Sequence, residues 1–178
     1  VDVGGNHPAA VGGEVQGLPA YTSIVDVPGT VDHAIVCVPA PAVAAAVLDC
    51  IAKGVHCIQV LTAGFAELGE QGRAMQDEIV ASCKRAGVRL IGPNSLGLLN
   101  VANGLHATFS TLLDGAKPRP GAIALATQSG AFGSCAYGMA TLRGLGFSKI
   151  VATGNEADVD VAECIAYLAD DPATRVIL

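Results

Sequence analysis

The chain has 178 residues and a formal net charge of −6; 51% of its residues are hydrophobic and 15% are charged. That balance excludes a disordered chain, which is poor in aliphatics and rich in charge. With no basic cluster, no nucleic-acid partner is expected.

A mean hydropathy of +0.50 invites a membrane reading. The longest uncharged aliphatic stretch, residues 34–48, carries Pro39 and Pro41 and falls short of the roughly 20 apolar residues a spanning helix needs. The charge-free stretch 120–142 is broken by Gln128, Ser129, Ser134 and glycines. No basic region precedes an apolar core near Val1, so no signal peptide is expected. The six cysteines form no C-x-x-C pair and read as reduced, mostly buried thiols, so the expected location is cytoplasmic and off the membrane. The 30 alanines and 22 glycines suit close-packed layers.

In chain order, a Gly-rich, weakly patterned stretch runs to Gly17. His33 to Val38 is a short apolar run, the pattern of a strand buried on both faces. Val43, Val47, Leu48 and Ile51 then recur at helical spacing, with Pro41 in the first turn and Gly54 as the stop. His56 to Leu61 is a second strand. The next helix carries Met75, Ile79 and Cys83 on its apolar face, with Gln76, Glu78 and Lys84 elsewhere, and ends at Gly87. Val88 to Ile91 closes a βαβαβ unit.

The segment from Val101 to Pro120 holds Asn103-Gly104, Asp114-Gly115, Pro118 and Pro120 without steady periodicity, and reads as a linker. A second α/β piece follows: strand Ala122–Ala126, helix Ala131–Leu142, strand Ser148–Thr153, a helix striped by Val161, Cys164, Ile165 and Leu168, and a strand from Arg175. Crossover helices predict parallel strands. The chain stops on the apolar run Val176-Ile177-Leu178 and is expected to be cut at both ends.

Ligands of open parallel sheets bind beyond the carboxyl ends of the strands. The segments there read Val38-Pro39-Ala40-Pro41, Thr62-Ala63-Gly64-Phe65, Gly92-Pro93-Asn94-Ser95, Gln128-Ser129-Gly130 and Gly154-Asn155-Glu156. Each alone is also ordinary turn chemistry. Gln128-Ser129-Gly130 points furthest, because free N–H groups and the helix dipole converge at a helix start and suit a phosphate.

A serine nucleophile elbow needs G-x-S-x-G, but Thr127 and Ala131 stand at the glycine positions and no histidine follows His106. G-x-G-x-x-G is absent, and Gly92 to Gly97 lacks the Lys-Ser/Thr of a phosphate-binding Walker loop. The four histidines, His7, His33, His56 and His106, have no metal-ligand spacing, so no metal site is expected. Cys135 near a helix start reads as a packed small residue. Glu67 either positions something or is a solvated carboxylate at the start of a helix.

Taken together, Val38-Pro39-Ala40-Pro41, Thr62 to Glu67, Gly92 to Gly97, Gln128 to Ala131, Gly154 to Asp160 and Asp171-Pro172-Ala173-Thr174 occur in the order and spacing of one family. From about Gly17 to Leu178 the chain resembles the NDP-forming acyl-CoA synthetases, relatives of the succinyl-CoA synthetase alpha subunit. The resemblance implies an α/β protein: a Rossmann-like CoA-binding domain with a parallel sheet over residues 1–103, a linker over 104–120, and the start of a flavodoxin-like α/β domain over 121–178.

Carried over by motif, Val38, Pro39 and Ala40 line the CoA site, Thr62, Ala63 and Gly64 lie beside the pantetheine, and Asn94 and Ser95 lie near the thiol. Gln128, Ser129 and Gly130 hold phosphate. The resemblance further implies coenzyme A and a small carboxylic acid as ligands. ATP or ADP with Mg is expected at an ATP-grasp partner outside the chain, a catalytic phosphohistidine also outside it, and an oligomeric assembly.

The family's Gly-rich loop around the CoA phosphates has no equivalent before the first segment, and Ser95 stands where the succinyl enzymes usually have Cys. The competing readings are a CoA- or acyl-CoA-sensing module of a protein acyltransferase and an NAD(P) oxidoreductase.

Overall fold

The computed structural model describes residues 13–111 and 118–178. The Gly-rich start with His7, the first twelve residues of the expected CoA-binding domain, and residues 112–117 of the expected linker lie outside the described residues. The chain divides into two compact units, one ending at Leu90 and the other spanning Ile91–Leu178.

In the first unit β1 (Glu14–Val15) and β2 (Leu18–Pro19) form a small antiparallel ladder. The elements β3 (His33–Val36), α1 (Ala40–Lys53), β4 (Cys57–Val60), α2 (Glu70–Ala86) and β5 (Arg89–Ile91) then follow in the expected order. The sheet runs β3-β4-β5, and β3 lies parallel to β4 with His33 opposite Cys57 and Val36 opposite Val60.

Gly54 and Gly87 end the two helices in the left-handed conformation, as expected. The helices pack against each other, but their buried faces differ from the expected stripes. In α1 the buried residues are Val43, Val47 and Cys50, while Leu48 is exposed. In α2 the buried line is Gly72, Gln76, Ile79 and Cys83, and Met75 is only half-buried. The i, i+4, i+7, i+11 line is set by the helix's contact surface, and Gln76 falls on it despite its polarity.

The second unit corrects the linker expectation. β6 (Gly97–Asn100) and β7 (Leu105–Thr108) form a hairpin in the second sheet, and β8 (Pro120–Thr127) begins inside the expected linker. Asn103-Gly104 lies in the turn between β6 and β7, a sequence that also favours tight hairpins. After β8 come α3 (Gly130–Leu142), β9 (Phe147–Ala152), α4 (Val161–Ala169) and β10 (Val176–Ile177). The strand order is β10-β8-β9-β6-β7. β8 pairs in parallel with β9 and β10, whereas β6 runs antiparallel to both β7 and β9. This sheet is therefore mixed; the parallel rule holds only where a helix crosses over.

β8 carries the core of this unit. Leu125 joins Leu99, Tyr137, Phe147 and Ile150 in one apolar cluster, and Ala124 and Ala126 pack with Cys164 and Leu168 in another. Alternate residues of one strand thus feed the α3 and α4 layers. Burial pushes the Cys164 thiol up to about 11.

The Asp-Pro-x-Thr segment locks β10 into place. Lys149 Nζ and Thr174 Oγ1 each donate to Asp171 Oδ2 at 2.6 Å. Ser148 Oγ lies 2.8 Å from Thr174 Oγ1. The hydrogen bond from Lys149, then that from Thr174, holds the Asp171 carboxyl below the usual carboxylate range. A depressed folded-state value stabilises the fold fully above the unfolded value, about 3.9, and this stabilisation is lost as pH falls through the folded value. Asp171→Asn is expected to lower Tm at neutral pH and to flatten the acid-side decline. Thermal melts from about pH 2 to about pH 7 check this; identical profiles for the two proteins would refute it.

Candidate functional site

In the first unit, the segments after β3 and β4 meet. The Thr62 hydroxyl donates to the Val38 carbonyl at 2.6 Å. A Cβ placed on Gly64, at φ +110°, would lie 3.0 Å from that of Ala40. Val38, Pro39 and Ala40 are thereby brought against Thr62, Ala63 and Gly64. Val38 also lines an apolar cavity of about 260 Å³ with Ile24, Val27, Val31, Val36 and Cys50. Burial pushes the Cys50 thiol up to about 11, which makes it a poor nucleophile.

In the second unit the turn between β8 and α3 gathers backbone donors. Ser129 is the N-cap of α3: its Oγ accepts from the Phe132 N–H at 3.2 Å, and its carbonyl accepts from the Gly133 N–H at 2.9 Å. The Gly130 and Ala131 N–H groups have no partner among the described residues. These are orphan donors of a helix start, with the positive end of the dipole behind them.

The four helices differ in a way that bears on this. α2 and α4 place Glu70 and Glu163 in their first turns, whereas α1 and α3 have no acid there. The helix starts without a first-turn acid are those of α1, which begins within Val38-Pro39-Ala40-Pro41, and of α3, which begins at Gly130.

The loop after β9 organises the second site. Glu156 Oε2 accepts from Gln128 Nε2 at 2.5 Å, and Glu156 Oε1 accepts from Thr153 Oγ1 at 3.0 Å and the Val161 N–H at 2.9 Å. Asn94 Nδ2 donates to Asn155 Oδ1 at 3.2 Å, and the Asn155 N–H donates to the Pro93 carbonyl at 2.9 Å. Asn94 and Glu156 adopt left-handed backbone, φ 57° and 54°, so both are held there by their surroundings.

Asn94 and Ser95, expected near the thiol of CoA, belong to the second unit, which also carries the turn between β8 and α3. Ser95 is 1% exposed. Its hydroxyl donates to the Ala152 carbonyl at 2.5 Å and accepts from the Gly97 N–H at 3.0 Å, so both its hydrogen-bonding roles serve the fold.

Sequence reasoning assigned no role to Thr153, Asn155 or Glu156. The signals were that Gly154-Asn155-Glu156 follows a strand and that Gly154 to Asp160 is one of the family motifs; that Glu156 reaches Gln128 depends on strand order. His106 is exposed on β7 opposite Leu99, and His56 lies 3.5 Å from Asp32 with both side chains open to solvent. Burial lowers the pKa of His33, partly offset by a hydrogen bond with Gln59. Among the described residues no His, Cys, Asp or Glu cluster could hold a metal, and no helix is long and apolar enough to cross a membrane.

Comparison with known proteins agrees with this layout. Residues 1–64 match the family model for a CoA binding domain, and residues 120–178 match that for a succinyl-CoA ligase like flavodoxin domain. The alpha subunit of an ADP-forming acetate–CoA ligase II from Pyrococcus furiosus is 40% identical over 164 residues, 92% of this chain and 35% of that protein. An ADP-forming acetate–CoA ligase I from Archaeoglobus fulgidus is 42% identical over 93% of this chain and 24% of that protein. A dinucleotide-forming acetyl-coenzyme A synthetase 1 from Ca. Korarchaeum cryptofilum, solved with phosphate and ADP, superposes with a TM-score of 0.85 at 36% identity, covering 92% of this chain and 34% of that one.

In its fold, and over most of its length in sequence, the chain is similar to these ADP-forming CoA ligases. It spans about a third of the length of the Pyrococcus relative.

Gly154 permits the clamp between two of these loops. It sits at φ +67°, and a Cβ there would run into the Pro93 and Asn94 backbone. Gly154→Ala is expected to destabilise the second unit by about 1–3 kcal/mol. Urea unfolding checks this, and an unchanged midpoint would refute the clamp.

Proposed function

We propose that this chain is the CoA- and phosphate-handling part of an NDP-forming acyl-CoA synthetase. The reaction interconverts acyl-CoA, phosphate and ADP or GDP with a carboxylic acid, CoA and ATP or GTP. A phosphate oxygen attacks the thioester carbonyl, the C–S bond breaks, and CoA leaves as acyl phosphate forms. The phosphoryl group then passes to a histidine outside this segment, releasing the acid, and on to the nucleoside diphosphate. Nucleotide and Mg bind at an ATP-grasp partner, and the active protein is an oligomer of the cytoplasm.

The observation that carries this reading is the start of α3. Two N–H groups without a partner among the described residues, the exposed Ser129 hydroxyl and a helix start without a first-turn acid suit a phosphate and the charge it carries through the transfer. Gln128, oriented by Glu156, borders the same turn. Val38, Pro39, Ala40, Thr62, Ala63 and Gly64 are the residues for CoA. The joined loops, the small side chains and the α1 start without an acid support that assignment. Asn94 is assigned to the reacting end of the thioester, and Ser95 to holding the loop that carries Asn94.

The test uses the full-length protein with acyl-CoA and inorganic phosphate, trapping acyl phosphate as the hydroxamate. A Cβ on Gly130 would lie 2.7 Å from that of Leu96, so Gly130→Ala disturbs the turn at its centre. The variant is expected to raise the phosphate KM at least about tenfold, the size of a lost charge-assisted hydrogen bond. CoA binding without hydroxamate would favour the sensing module, and thermal stabilisation by NAD(P) but not by CoA would favour an oxidoreductase.

A further inference from the structure

Glu67 is outside both sets of proposed binding residues, yet its carboxylate holds the loop after β4. The Gly64 N–H donates to Glu67 Oε1 at 2.5 Å, and the Phe65 N–H donates to the same oxygen at 3.1 Å. Phe65 is anchored in the core at 1% exposure, while Glu67 stands on the surface in a 3-10 turn, Ala66–Leu68.

Gly64 at φ +110° has its amide turned toward the carboxylate and its α-carbon against Ala40. The Thr62 hydroxyl ties the other end of the loop to Val38. The loop is thus held at three places: Thr62 to the strand beside it, Phe65 to the core, and the intervening amides to Glu67. A merely solvated carboxylate would not have one oxygen shared by two backbone donors.

We propose that Glu67 is a positioning residue for coenzyme A, fixing Thr62-Ala63-Gly64 in the shape that accepts the ligand. This rests on the assignment of those residues to CoA. The bound ligand then meets a loop whose backbone is already ordered, so less conformational freedom is lost on binding. In this proposal the holding lies in the position of the one acceptor oxygen that the two amides share. Glutamine presents a carbonyl oxygen at the same reach and replaces the residue; alanine offers no acceptor, and aspartate is one methylene too short.

The experiment is calorimetric titration of the full-length protein with CoA, alongside melting temperatures and hydrogen exchange at the Gly64 and Phe65 amides. Glu67→Ala and Glu67→Asp are expected to weaken CoA about tenfold and to speed exchange at those two amides. Glu67→Gln is expected to stay within about twofold of the wild type in both readouts.

A lowered melting temperature with unchanged CoA affinity in the alanine and aspartate variants would overturn the proposal, since it marks a purely structural role. Glutamine binding as weakly as alanine would overturn it as well, by showing that charge is required. Should the alanine variant fail to fold, the aspartate and glutamine variants decide. If the wild type binds no CoA, the CoA assignment falls and this proposal with it; if it binds and Glu67→Ala binds equally, this proposal falls alone.

Discussion

The second unit depends on the burial of β8 from both sides. Leu125 faces the cluster with Tyr137 and Phe147, while Ala124 and Ala126 face Cys164 and Leu168. A strand covered on both faces exposes little to solvent except at its ends. Chemistry is therefore pushed to the carboxyl edge, where β8 and β9 run parallel and release their loops on the same side. The Thr153 N–H donates to the Thr127 carbonyl at 2.8 Å, which extends the pairing to the last residues before the two turns.

What those loops do follows from where each polar group finds a partner. Glu156 satisfies Gln128, Thr153 and the start of α4, so the turn after β8 is braced by the turn after β9. Pro93 and Asn94 are braced by Asn155. Against these bonded groups stand the amides of Gly130 and Ala131, which have no partner among the described residues. The first unit uses the same logic with different residues: Thr62 joins two strand ends, and Glu67 takes up the donors of the loop between them.

Much of this was legible beforehand for a local reason. Helix stops at Gly54 and Gly87, the helix start at Gln128-Ser129-Gly130 and the apolar strand runs are encoded within a few residues of where they act. The absence of first-turn acids in α1 and α3, contrasted with Glu70 and Glu163, was also readable but is informative only once all four helices are known. The misread features were those decided by distant partners. Leu105–Thr108 looked like linker because four residues carry almost no periodicity; it is a strand because Gly97–Asn100 pairs with it. Gln76 looked solvent-facing by polarity and is buried by its place on α2.

The sequence by itself determined the α/β class of the protein: alternating strands and helices, small polar segments at the strand ends, and a family resemblance carried by several motifs in order. These are properties of neighbouring residues, set by backbone preference, hydrophobic period and the need to cap helix starts. Only the tertiary structure decided that Asn94 meets Asn155, that Ser95 is spent on the fold, and that Glu156 braces Gln128 from 28 residues away. Those facts depend on strand order and register, which arise from packing between segments far apart in the chain.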